Sequence, residues 1–130
     1  MHPLRQAAEA DALDTVPALL AENVVFVSPV AFTPYTGRGM VTAILRAVTS
    51  VFEDFRYVNE FGAPGGRDHA LVFRARVGDR EIHGCDFVHH DENGLIDELT
   101  VMVRPLSAAN ALACAMEARF ASIEREAGLI

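Results

Sequence analysis

REIHGCDFVHHDENGLIDELTVMVR, residues Arg80 to Arg104, reads as two strands joined by a tight acidic turn. Asn93 followed by Gly94 is a strong hairpin signal, because both residues tolerate the positive φ that such turns demand. Side chains two apart along a strand share a face, so Asp86 lies with Ile82, Gly84 and Val88. A carboxylate among apolar neighbours has three explanations: a donor pairs with it, a register slip leaves it in water, or burial raises its pKa for chemical use. His83, Cys85 and His89 share the opposite face, with His90 added to the cluster. Residues two apart on one strand sit about 6 to 7 Å apart. No fourth zinc ligand has a recognisable spacing, so no metal site is expected.

Upstream, His69, Leu71, Phe73, Ala75 and Val77 alternate with Ala70, Val72, Arg74 and Arg76, and Gly78-Asp79 turns that strand into the next. Phe55, Tyr57, Asn59 and Phe61 alternate with Asp54, Arg56, Val58 and Glu60, giving one more antiparallel strand. Between Gly39 and Phe52, apolar Val41, Ile44, Leu45, Val48 and Phe52 share one face, which predicts an amphipathic helix with Thr42, Arg46 and Thr49 on its polar side. Arg38 at its start is expected in a structural ion pair. Val24 to Ser28 is a β-branched and aromatic strand that Pro29 ends. Before it, Pro3 to Leu13 and Thr15 to Ala21 read as helices, with Asp14 as an N-cap. After Pro105 an Ala-rich run closes on Gly128. Its Leu112, Met116, Phe120 and Ile123 predict one helix of about twenty residues.

The 130 residues are 51% hydrophobic and 22% charged, the balance of one globular domain over 1–130. Acids outnumber basic residues 18 to 11, the basic ones are all Arg, and the net charge is -7. An acidic surface without a basic stripe argues against nucleic acid. No apolar run approaches the roughly 18 residues that span a membrane, so a cytoplasmic protein is expected. Cys85 and Cys114 lack a CxxC spacing and are expected as thiols.

The pieces DTVPALLAENVVFVSPV (14–30), TGRGMVTAILRAV (36–48) and GCDFVHHDENGLIDEL (84–99), in this order, resemble the nuclear-transport-factor-like superfamily of ketosteroid isomerases and SnoaL-like cyclases. The resemblance covers most of residues 4 to 104. It implies an α+β fold in which a curved antiparallel sheet wraps around helices as a cone, with the 105–127 helix as an addition. It also implies an apolar cavity, no cofactor, and a homodimer formed through the outer face of the sheet. In ketosteroid isomerases an acid ends the first strand as the proton-transfer base, where this chain has Ser28. The oxyanion-hole tyrosine of the first helix falls near Leu4. Only the hairpin acid is matched, by Asp86, which argues against steroid isomerisation and fits the acid/base of SnoaL-like cyclases.

On that frame the cavity is expected to be lined by Ser28, Tyr35, Tyr57, Phe73, Val88, Leu99 and Val101, with Asn59 a further polar candidate. Buried in it, Asp86 would titrate near neutrality and exchange protons with a carbon next to a carbonyl. His69 or Tyr57 would help, unless His69 is bonded to a carbonyl. The expected function is a cyclase, isomerase or dehydratase acting on a small hydrophobic molecule, polyketide-like or terpenoid-like. The alternative is a module of the same fold that binds a ligand or partner without catalysis.

Overall fold

The computed structural model describes residues 1–128. In order, the chain forms α1 (Pro3–Glu9), a 3-10 helix (Leu13–Leu19), β1 (Leu20–Val27), β2 (Tyr35–Thr36), α2 (Arg38–Val51) and β3 (Glu53–Phe61). It continues through β4 (Asp68–Val77), β5 (Arg80–His90), β6 (Ile96–Arg104), α3 (Leu106–Glu117) and α4 (Phe120–Glu126). This is the expected α+β architecture. The strands form one six-stranded sheet in the order β2-β1-β6-β5-β4-β3. β3 to β6 are antiparallel neighbours, and β1 returns to run parallel to β6.

The hairpin of β5 and β6 fixes the register that matters most. Asp91 accepts from the amides of Asn93 and Leu95, and Gly94 takes φ 82°, the conformation glycine adopts without strain. Asp86 then lies opposite Leu71 of β4 and Val101 of β6. On β3 a register shift falls between Tyr57 and Asn59. Tyr57 stays on the buried side opposite Phe73, whereas Asn59 turns outward and is exposed, so it is no cavity group.

Leu20, Val24, Val41, Leu71, Phe73, Ile96 and Leu99 are buried in the main core, each such side chain worth roughly 1.5 to 3 kcal/mol of transfer free energy. A smaller cluster joins Val51, Ala75, Val77 and Ile82 to Ala108 and Leu112 of α3. The C-terminal segment serves both. α3 sends Ala108 and Leu112 to the smaller cluster, and α4 sends Ile123 to the main one. Two helices therefore replace the single long one that the sequence suggests.

α1 stops at Glu9 rather than Leu13 because Asp11 takes φ 53°. The amides of Asp11 and Ala12 then bond back to the carbonyls of Ala8 and Ala7, which closes the helix end. Asp14 is no N-cap: it lies inside the 3-10 helix, whose N-cap is Ala12. β1 starts at Leu20, four residues before the expected Val24, because Leu20 pairs with Ile96. Arg38 donates to the Leu20 carbonyl at 3.1 Å, and it makes no ion pair among the described residues. Among the described residues no helix is long and apolar enough to cross a membrane.

Candidate functional site

Asp86 is buried, only 8% exposed, and both residues opposite it are apolar. The Tyr57 hydroxyl donates to Asp86 Oδ2 at 2.6 Å. β3 and β5 are not neighbours in the sheet, so Tyr57 reaches over β4 to make this bond, which a curled sheet permits and a flat one, with strands about 4.8 Å apart, would strain. Among the described residues no protein group bonds to the other oxygen, Oδ1. The floor beneath the pair is aromatic. Phe55 meets Tyr57 edge-on at 5.0 Å and Phe73 at 5.1 Å, and Phe52 stacks on Phe55 at 5.6 Å. Phe73 lies over Gly84, where a Cβ would sit 2.3 Å from the ring.

Burial pushes the Asp86 carboxyl up to about 6, with the Tyr57 hydrogen bond acting in the opposite direction. Burial first, and then the Asp86 charge, push the Tyr57 phenol well above its ordinary range. At neutral pH the carboxylate is therefore mostly ionised while the phenol keeps its proton. The pair offers one base and one hydrogen-bond donor, 2.6 Å apart.

A cavity of about 780 Å³ opens above the pair, beneath α1, the 3-10 helix, α2 and α4. Its walls include Ser28, Tyr35, Tyr57, Phe73, Leu99 and Val101. Val88 shares the face of Asp86, but it lies outside the cavity, 2% exposed in the core. His69 does not reach Asp86. It lies opposite Val88, one inward position away from Leu71, or about 7 Å along the strand. Its Nε2 is bonded to the Gly66 carbonyl at 2.8 Å. The partner of Asp86 is thus Tyr57, the other helper the sequence offers.

Ser28 Oγ accepts from the amides of Val30 and Ala31 at 3.1 and 3.2 Å, so it caps the turn after β1. Leu4 supplies an apolar wall. Thr42, Arg46 and Thr49, whose helix face reads as a solvent face, also line the cavity. Thr42 Oγ1 is buried with no hydrogen-bond partner among the described residues. A face turned to solvent and a face turned to a cavity look alike in sequence, so periodicity carries no signal for these three.

On the convex face, His89 Nδ1 meets Asp97 Oδ1 at 2.6 Å, and that carboxylate holds the imidazolium above its ordinary range. Burial pushes the Cys85 thiol up, which suppresses its thiolate. His90 does not join His83, Cys85 and His89. Its ring packs with those of His2 and His69, on the side of Asp86 and Val88. The even numbers 86, 88 and 90 were the available sign of this placement.

A curved six-stranded sheet closed by helices over an apolar cavity is the architecture of the NTF2-like class of cystatin-like folds. The chain belongs to the SnoaL-like domain family, whose match spans residues 4–99. It is similar to a steroid delta-isomerase from Pseudomonas aeruginosa, with 41% identity over 92% of this chain and 87% of that one and a TM-score of 0.85. It is also similar to a conserved bacterial protein with a cystatin-like fold from Silicibacter pomeroyi, at 36% identity, 96% and 90% coverage and a TM-score of 0.88. An NTF2-like protein from Mesorhizobium loti shares the fold at 18% identity, 78% and 85% coverage and a TM-score of 0.68. No curated protein matches the chain.

Proposed function

We propose that the cavity takes a small, mostly apolar ketone, polyketide-like or terpenoid-like, and that Asp86 moves a proton on the carbon next to its carbonyl. The observation that carries this reading is the buried pair of Asp86 and Tyr57, with Oδ1 free of protein partners beneath a cavity of about 780 Å³. That volume lies within the range of small-molecule sites. The carboxylate takes the proton, so a C–H bond breaks and an O–H bond forms while the electron pair moves into the enolate. As Asp86 loses its charge, the Tyr57 hydrogen bond becomes worth more on the enolate oxygen than on the carboxyl. The Asp86 carboxyl then returns the proton, to the same carbon or to one further along a conjugated system. Every step uses groups of this chain.

The name of the Pseudomonas relative supports an isomerase. Ser28, committed to two turn amides, and Leu4 speak against the steroid version of that chemistry. A panel of cyclic β,γ-unsaturated ketones, one of them a steroid, tests the reading by the absorbance of the conjugated product. Turnover by the wild type that disappears in Asp86→Asn is the expected result. Full activity in that variant would end the proposal.

A second reading, binding without catalysis, is favoured by the serine at position 28. It stands if wild type and Asp86→Asn are both inert while calorimetry shows the wild type binding a panel ketone. For the assembly, exposed Phe87, Met102 and Val58 on the sheet support a homodimer formed through its outer face. Phe87→Glu should then elute as a monomer in size-exclusion chromatography. Monomeric elution of the wild type would exclude the dimer.

A further inference from the structure

Outside the cavity, three histidines far apart in sequence meet at one end of the sheet. His2 precedes α1, His69 lies near the start of β4, and His90 ends β5. His2 is 5% exposed. The ring centroids are 5.0 Å apart for His2 and His69, 4.9 Å for His2 and His90, and 5.5 Å for His69 and His90. One ring nitrogen from each lies within 4.8 Å of the others.

The surroundings fix which nitrogens carry protons. His69 Nε2–H donates to the Gly66 carbonyl at 2.8 Å, and His90 Nδ1–H donates to the Gly94 carbonyl at 3.0 Å. Each ring therefore keeps a lone pair on its other nitrogen, Nδ1 of His69 and Nε2 of His90. A histidine anchored by a carbonyl through one nitrogen is oriented to ligate through the other. His2 Nδ1 accepts from the Leu4 amide at 3.0 Å, so its Nε2–H donates to His90 Nε2 at 2.8 Å. The space beside His69 Nδ1 belongs to Gly62, where a Cβ would sit 2.5 Å from that nitrogen. The Glu60 carboxylate lies next to the trio, bonded to the His2 amide and paired with Arg5.

We propose that His2, His69 and His90 form a binding site for a divalent transition-metal ion, zinc in the first instance. Three neutral imidazoles without a thiolate suit zinc and its neighbours in the first transition row, and they leave a position for water. Zinc–nitrogen bonds of about 2.0 to 2.1 Å require side-chain shifts on the order of 1 Å. The His2 proton moves from Nε2 to Nδ1, which gives up the hydrogen bond from Leu4. The sequence hides this set because its members stand at positions 2, 69 and 90 and show no ligand spacing.

Calorimetric titration of chelator-treated protein with zinc chloride tests the site, with thermal unfolding as a second readout. One equivalent should bind and raise the melting temperature. His69→Gln and His90→Gln, which keep side-chain volume, should each weaken binding about 10- to 100-fold. His83→Ala, on the convex face, should bind as the wild type does. Circular dichroism shows which variants fold, and anomalous diffraction at the zinc edge locates the ion in the wild type whatever the variants do. A peak among the three rings supports the proposal. No binding, wild-type affinity in both folded glutamine variants, loss of binding in His83→Ala, or a peak elsewhere would overturn it.

Discussion

Asp86 and His90 stand four residues apart on one face of β5, about 13 Å along the strand, and burial moves the titrations around them in opposite directions. The Asp86 carboxyl goes up to about 6, and His2, packed against His90, goes down to about 4. The physics is the same at both ends, since low dielectric favours whichever form is neutral. The ends differ in what folding leaves unpaired. At Asp86 it is an acceptor oxygen beneath a cavity; at the histidines it is the lone pair of His69 Nδ1, beside a His90 Nε2 held only by the His2 ring, while backbone carbonyls hold the other ring N–H groups of His69 and His90. The first arrangement suits moving a proton, the second holding a cation.

The change that breaks this comparison hardest is Asp86→Asn. It should lower kcat for proton transfer about 10²- to 10⁴-fold while ketone affinity, read by calorimetry, changes only severalfold. The same variant should be more stable than wild type. A carboxyl with pKa about 6 when folded and 3.8 as its ordinary value makes the wild type lose stability as pH rises from about 4 to about 6. The loss is complete above that range and amounts to roughly 3 kcal/mol at about 1.4 kcal/mol per unit. Urea titrations should show the advantage of Asp86→Asn in full at pH 8 and absent at pH 3.

Tyr57→Phe should lower kcat/KM about tenfold and sharpen the assignment through pH. In the wild type, kcat/KM should climb with pH and level off above about 6, as the base form of Asp86 fills. Removing the phenol removes a bond that holds the carboxyl pKa down, so the variant's limb should move to higher pH. A limb that stays in place would detach Tyr57 from the titration. The smallest effect is expected at the other end, where His2→Ala removes the Leu4 cap and should cost about 1 kcal/mol in the same urea assay.

The hairpin was readable from sequence because period-two alternation, a turn with a single reading and a lone acid all point to one register. Tyr57 was readable as a cavity residue, but its bond to Asp86 was not. That contact spans two strand spacings and depends on curvature, which bulges produce and alternation does not encode. His69 illustrates the converse: its face was right, but its position along the strand sends it to Gly66 and the other histidines. The early stop of α1 comes from the left-handed turn at Asp11, a local conformation that its residue type does not dictate, and the division of the C-terminal segment comes from two separate core clusters, a tertiary cause. Thr42 was hidden because amphipathicity does not tell a cavity from solvent.

Gly84 contributes no side-chain atom to the site, yet it sets how deep the floor lies. The Phe73 ring occupies the room that a methyl group at position 84 would need, and it touches the aromatic layer beneath Tyr57. A single added carbon there would be transmitted through the ring to the hydroxyl that holds Asp86. Position 84 thus acts as a remote adjustment screw, and natural exchange or engineering at this glycine would retune the cavity without replacing any group that meets its contents.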